Sequence, residues 1–370
     1  MRGVSRALIA GKSMLNSPSN APLDDRVRSE GDPAGGPRRD LHEPRSFAPA
    51  ASRAAAPDQS LAPYAPSALC DPEGVQIDLA HWNHERLGPA LPARGWHLDL
   101  KRQSAMLLLE STWIETLREE VYDRAQAAPR RPAAFIAWFE DLKTTGPGQS
   151  DPLFPWLAEH ADEDAMRWFL TQEAAGEAGF DDLVALTQVK LPTEAKLELA
   201  RNYWDEMGRG NVGGMHGPML TRAIDALNLQ PSIDQTVWPS LALANTMTAF
   251  ATVRRYAWHS VGALGVVELT APGRVALVGA GLKRLGFPPV VRKYFDLHAV
   301  LDIKHSEDWN ANALRPLAEE HPECLPFIAE GALMRLICGR RCFDVYREHF
   351  KLGAATRTTD CTPALPSRLQ

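Results

Sequence analysis

Two imidazoles and a carboxylate stand at i, i+4 and i+7 in Tyr294-Phe-Asp-Leu-His298-Ala-Val-Leu-Asp302-Ile-Lys-His305. In a helix turning about 100° per residue, these three directions fall within roughly 60° of one another. One stripe therefore carries His298, Asp302 and His305, and the flanking Leu297, Val300, Leu301 and Ile303 set it close to an apolar packing surface. A lone histidine in that setting reads as a core residue. Two histidines with an aspartate at the reach of a shared ion read as a metal site. Mixed nitrogen and oxygen donors suit iron or manganese better than structural zinc.

Three such side chains do not saturate a metal, so other elements must supply partners. Glu268, in Gly262-Ala-Leu-Gly-Val-Val-Glu268-Leu-Thr, has the most apolar surroundings of any acid in the chain. A buried carboxylate needs a cation; an exposed helix end before Pro272 is the plainer account. Glu173 follows an apolar turn in Trp168-Phe-Leu-Thr-Gln-Glu173 and precedes small residues that leave space beside it, or is a surface acid. Glu206 ends a helical pattern at Tyr203-Trp-Asp-Glu206-Met-Gly, where a carboxylate opposes the helix dipole. His216 opens the next pattern ten residues later, across a glycine-rich break that can fold both onto one ion. A frayed acid followed by a helix-starting histidine is the alternative for that pair.

The elements that must position these residues are helical. Apolar residues recur at three and four over 104–127, 132–143, 162–189, 193–207, 216–229, a pair covering 238–269, then 274–285, 288–314 and 322–350. Gly and Pro fall between them at 146–148, 208–214, 272–273 and 286–289, where breaks are expected. Residues 72–101 carry no assignable pattern. No alternating run of strand length stands out, so the class is all-α, a bundle of about seven to nine helices. The stretch Gly208-Arg-Gly-Asn-Val-Gly213 matches G-x-G-x-x-G, but it follows a helix and not a strand, so its glycines read as a helix break and not a dinucleotide site. Gly11-Lys12-Ser13 resembles the end of a P-loop, yet Arg6 stands where its first glycine belongs.

Composition sets the outer limits. The 370 residues are 45% hydrophobic, with 40 basic and 46 acidic side chains and a net charge of −6. An acidic balance argues against nucleic acid as a partner, since phosphate binding needs a basic face. Five cysteines without a C-x-x-C pair make neither a disulfide framework nor a zinc ribbon, and Cys338 and Cys342, one turn apart, read as small apolar packing groups. The stretch 238–253 comes nearest to a membrane helix but is diluted by Asn, Thr and Ser. The expected setting is a reducing cytoplasm, with no membrane. Residues 1–66 are rich in Ala, Pro, Ser, Gly and Arg and read as a disordered extension without the apolar core of a signal peptide. Residues 67–150 are then a helical segment packing on a bundle, 151–351 the metal-bearing helical domain, and 352–370 a flexible tail.

The order Glu173, then W-D-E-M-G-R-G-N with Glu206 and His216, then Glu268, then H-x3-D-x2-H resembles the haem-oxygenase-like diiron oxidases and oxygenases over about residues 150–350. The Leu241-Ala-Leu-Ala-Asn and Lys283-Arg-Leu-Gly-Phe segments fit the same pattern. The resemblance implies a haem-oxygenase-like helical bundle with extra N-terminal helices. It implies that Glu173, Glu268, His298, Asp302 and His305 are ligands shared by two irons, with His216 completing the second. Glu206 would be the additional carboxylate of the superfamily's N-oxygenases. Some members place His or Glu seven residues after the first Glu; here that position is Phe180, and His216 stands in for it, which points to the N-oxygenase-like branch. The carboxylates Glu173, Glu206, Glu268 and Asp302 would then balance two ferrous ions. Ferritin-like bundles hold diiron through paired E-x-x-H motifs, and no Glu in this chain has a His three residues later. The implied activity is O2-dependent oxidation of a small amine to a hydroxylamine or nitro group in specialised metabolism. An external reductant would supply the electrons, and a homodimer is plausible from the resemblance. Asp205 and Tyr294 are candidates to support the ligands from outside. The rivals are a desaturase or carbon–carbon lyase on a small amino or fatty acid, and a non-catalytic iron-binding helical protein.

Overall fold

Helical periodicity carries through the chain. The computed structural model describes residues 71–92, 94–175 and 179–353, all within one unit, Tyr64–Gln370. The expected extension 1–66 and all but two residues of the 352–370 tail lie outside the described residues. Thirteen α-helices follow one another, with no strand among the described residues. They are α1 (Pro72–Leu87), α2 (Trp96–Gln126), α3 (Pro132–Thr145), α4 (Leu153–Glu159), α5 (Glu163–Ala175), α6 (Phe180–Thr187), α7 (Thr193–Glu206), α8 (His216–Ala226), α9 (Trp238–Thr252), α10 (Ala257–Arg284), α11 (Pro289–Trp309), α12 (Arg315–Glu320) and α13 (Leu325–His349). A π-helical turn, Asn310–Leu314, joins α11 to α12.

The helix α10 is the axis of the fold, packed against α11, α13 and α4. Val261, Ala263, Leu264 and Val266 of α10 meet Leu325, Ile328, Ala329, Ala332 and Leu333 of α13 in the main core. Each Val, Leu or Ile among them contributes about 1.5–3 kcal/mol by leaving water. Small residues let the two backbones touch. A Cβ built on Gly262 would lie 1.9 Å from the Ile328 carbonyl oxygen, and one on Gly331 2.0 Å from that of His259. A second core, around Leu153, Phe169, Ile224, Val291, Phe295 and Phe343, ties α4, α5, α8 and α11 to the end of α13.

Five expectations change. Thirteen α-helices stand among the described residues where about seven to nine were expected, since short helices such as α4 and α12 join the long ones. The Pro272-Gly273 break does not occur: α10 runs through Pro272, which is itself buried, because packing on several sides outweighs the lost N–H bond. The 162–189 pattern divides into α5 and α6, with 176–178 outside the described residues. The unassigned 72–101 forms α1 and the start of α2, where Asp71 caps α1 through Gly74 N. The helix nearest to a membrane span is not 238–253 but Arg254–Arg284, with mean hydropathy 1.5. Its apolar surface is spent on neighbouring helices, and it carries the buried Glu268, so it is the core helix of the bundle. Cys324, Cys338 and Cys342 are buried free thiols, as expected of small packing groups.

Candidate metal centre

Four helices deliver six side chains able to ligate a metal to one buried place. Glu206 is the last residue of α7, His216 the first of α8, Glu268 lies mid-way along α10, and His298, Asp302 and His305 form the stripe on α11. All six are buried. The connection between α7 and α8 explains how two helix ends meet. It folds into two 3-10 turns, Gly208–Gly210 and Val212–Gly214. Gly208 has φ +60°, and a Cβ there would sit 2.4 Å from the Gly214 carbonyl carbon, so the loop closes backbone on backbone. His216 Nδ1 is thereby brought 2.7 Å from Glu206 Oε2 without hydrogen-bonding geometry.

Two overlapping triplets emerge: Glu206 with His216 and His298, and Glu206 with Glu268 and His305. In each, the ligand atoms lie within 4.8 Å of one another, and Glu206 belongs to both. Asp302 lines the same pocket of about 110 Å³, together with Phe180, Asp181, Val267, Ala271 and Tyr294. The imidazoles are oriented from outside. His298 Nδ1 is 2.7 Å from the Tyr294 carbonyl, which leaves Nε2 for the centre. His305 Nε2 is 3.2 Å from Asp205 Oδ2, which leaves Nδ1 facing Glu268 Oε2 at 3.5 Å. Asp205 also accepts from Arg209 Nε at 2.6 Å. Asn202, one helical turn before Glu206, donates to Glu268 Oε1 at 2.6 Å.

The chemistry of this donor set fits a cation. Asp302 Oδ1, His216 Nδ1 and His305 Nδ1 are buried with no hydrogen-bond partner among the described residues. Neither Lys nor Arg lines the pocket. Burial, with Glu268 and Glu206 beside it, pushes the Asp302 carboxyl far above the usual carboxylate range. Burial and the other histidines hold His298 down at about 4 and lower His216, so both rings are neutral and ready to ligate. Burial also opposes charge on His305, but Glu268, Asp205 and Glu206 outweigh it and push that ring up to about 9. Carboxylates and three imidazoles together make a mixed N and O donor set that suits iron.

Of the nine residues singled out in the sequence, the structure gathers six here, with Asp205 and the Tyr294 carbonyl behind them. It does not bring Glu173 to them. Near the end of α5, Glu173 faces α13 instead, where its Oε1 accepts from the Tyr346 hydroxyl at 2.8 Å. Among the described residues the carboxylates that line the pocket are Asp181, Glu206, Glu268 and Asp302, and Glu206 belongs to both triplets. Two residues escaped sequence reasoning. Asn202 stands at i−4 from Glu206, a spacing that was readable. Arg274 was assigned to a separate helix, which hid its place on α10. Trp204 is half exposed and packs its ring on Gly210, outside the pocket, and His259 is a core histidine bonded to Glu330 at 2.9 Å.

No curated protein matches the chain. A family model described as iron-containing redox enzyme matches residues 167–340, the stretch that contains the whole centre. Over that stretch, just under half of the chain, the protein is similar to the haem-oxygenase-like iron-containing redox enzymes, and its all-α fold agrees with them.

Proposed function

We propose that the protein is a non-haem diiron oxygenase that uses O2 and an external electron donor to N-oxygenate a small amine. The observation that carries this reading is the pair of triplets sharing Glu206: one carboxylate between two sets of donors is the arrangement that holds two metal ions side by side. Glu206, His216 and His298 would hold one iron, and Glu206, Glu268 and His305 the other, with Asp302 available to either. Bound iron would supply the redox chemistry with O2. The side chains contribute geometry and dryness. Asp205 and the Tyr294 carbonyl fix the two imidazoles on α11, and Asn202 turns Glu268 so that Oε2 faces His305. Phe180, Leu220, Val267 and Ala271 exclude water from the ligand atoms. Two ferrous ions would be matched in charge by the four carboxylates that line the pocket, Asp181, Glu206, Glu268 and Asp302. The N-oxygenase branch draws on the resemblance of the W-D-E-M-G-R-G-N segment with Glu206 and His216 alone, since Glu173, from which the Phe180 position is counted, is bonded to Tyr346 instead.

The desaturase or lyase reading draws support from one observation, the mainly apolar cavity that adjoins the centre. Anaerobic loading with Fe(II), metal analysis and single-turnover exposure to O2 with a panel of amines and carboxylic acids separates the readings by product mass. N-oxygenation adds oxygen to an amine; desaturation removes two hydrogens. Less than about one iron per chain under reducing conditions would sink the diiron reading. Two irons with no O2 uptake would leave an iron-binding protein without catalysis.

A further inference from the structure

A second cavity, of about 170 Å³, shares a wall with the metal pocket: Leu220, Val267, Ala271, Val275 and Tyr294 line both. Beyond that wall the cavity is apolar, with Phe154, Phe169, Leu170, Ile224, Val278 and Phe343 around it. Two guanidiniums and one carboxylate interrupt this surface: Arg274 of α10, Arg335 of α13 and Glu173 of α5. None of the three lines the metal pocket.

We propose that this cavity is the substrate chamber and that Arg274 and Arg335 recognise the carboxylate of a small acid with an apolar body. The inference rests on the proposed function for the meaning of the shared wall, but the binding itself needs no iron. Arg274 donates from Nη2 to Thr270 Oγ1 at 3.1 Å and stacks at 5.5 Å from the Phe343 ring and 5.9 Å from that of Phe154. These contacts orient the guanidinium and leave its other donors for a ligand. Among the described residues, no carboxylate forms an ion pair within 4.0 Å of either arginine. Glu173, the nearest acid acting on both, is already engaged by Tyr346 at 2.8 Å. Burial pushes the Glu173 carboxyl above its ordinary range, so the two guanidiniums leave the chamber with an excess of positive charge, the complement of a carboxylate. Guanidiniums bind carboxylates through paired donors, and a low-dielectric wall strengthens that contact.

Size and spacing narrow the class further. The volume is below the ~300–1,000 Å³ of drug-sized pockets, so the acid is small. Arg274 follows Glu268 by six residues on one continuous helix, about 9 Å of axial rise. An acid held at Arg274 with its far end against Val267 and Tyr294 would present that end to the metal pocket. On the proposed function the reacting nitrogen sits at that end and the carboxylate is the handle.

The test is a calorimetric titration of the metal-free full chain with hexanoate and 3-phenylpropanoate, each against its primary amide. The acids are expected to bind at least about tenfold more tightly than the amides. Arg274→Gln and Arg335→Gln should each close most of that gap, and Arg274→Lys should restore part of it. Acid and amide binding equally, or no binding of either, overturns the proposal, as does an undiminished preference in both Gln variants. Iron uptake by the variants reports separately on their fold. If they lose iron as well, the acid–amide comparison on the unaltered chain decides. A chain that takes up no iron yet prefers acids would remove the proposed function and leave this inference standing.

Discussion

Two buried carboxylate–histidine clusters flank α10, and they differ in one respect. At the α10–α13 contact, His259 Nε2 lies 2.9 Å from Glu330 Oε2, and Arg118 Nε reaches the same oxygen at 2.7 Å. Arg118 continues to Glu115, which also binds Arg255 and the Tyr256 hydroxyl. Burial raises the Glu330 carboxyl, but His259 and Arg118 overcome it and hold the group below its ordinary range. At the metal centre the carboxylates face imidazoles and one another, with no lysine or arginine lining the pocket, and Asp302 is pushed far the other way. Both clusters contain buried polar atoms without hydrogen-bond partners, so such atoms alone do not mark a metal site. The source of positive charge does. One cluster is neutralised by the chain's own guanidinium; the other awaits a cation from outside.

The largest test of that contrast replaces the central carboxylate in each. Glu206→Gln should abolish binding of both metal ions, measured as iron per chain, with little change in the melting of the metal-free protein. Glu330→Gln should leave iron content intact and destabilise the fold by about 1–3 kcal/mol, since His259 and Arg118 both lose their charged acceptor. Equal iron loss in both variants would erase the distinction. Next, Gly262→Ala should cost about 1–3 kcal/mol or more, because the new Cβ meets the Ile328 carbonyl rather than a movable side chain. Gly273→Ala, with nothing within 4 Å, should stay within about 0.5 kcal/mol in the same denaturation assay.

Smaller effects sharpen the electrostatics. Asp205→Asn should weaken iron binding by about 10–100-fold while the six ligands remain. The His305 ring, raised to about 9 in the folded metal-free protein, titrates near 6.5 when unfolded. Its contribution to metal-free stability is fully present below about pH 6.5 and is lost as pH rises through about 9. Metal binding needs the neutral ring, so iron affinity should climb between pH 7 and 9 with release of a proton, read in a weakly buffered titration. Affinity flat across that interval would refute the assignment. The smallest expected effect is none: Glu173→Gln should take up iron like the unaltered chain, because its carboxylate serves Tyr346 and the neighbouring cavity.

The stripe on α11 was readable because helical spacing alone puts His298, Asp302 and His305 on one face. The Glu206–His216 pair was readable because a run of glycines between two helices permits a closed loop. Glu173 was not separable from Glu206 by the same means. Both acids sit near helix ends among apolar and small residues, and only tertiary packing turns α5 toward α13 and α7 toward α11. Pro272 misled in a different way. Its missing N–H is a local signal, and burial on several sides of α10 is a global one that overrides it. That error cut Arg274 off from Glu268 and left no cation visible beside the centre. The α1–α2 region was illegible because its surface is mostly exposed and its packing residues Leu79, Trp82 and Trp113 are widely spaced.

The passage of α10 through Pro272 has a consequence for how such an enzyme changes its substrate. With Glu268 and Arg274 on one uninterrupted helix, any insertion or deletion between them swings the guanidinium by about 100° per residue about the helix axis, while its backbone shifts only about 1.5 Å along that axis. Substrate length therefore cannot drift by single-residue steps in the backbone. It can be retuned only by trading the bulk of wall residues such as Leu170, Ile224 and Val278, which makes α10 a fixed gauge and the surrounding side chains its adjustable stops.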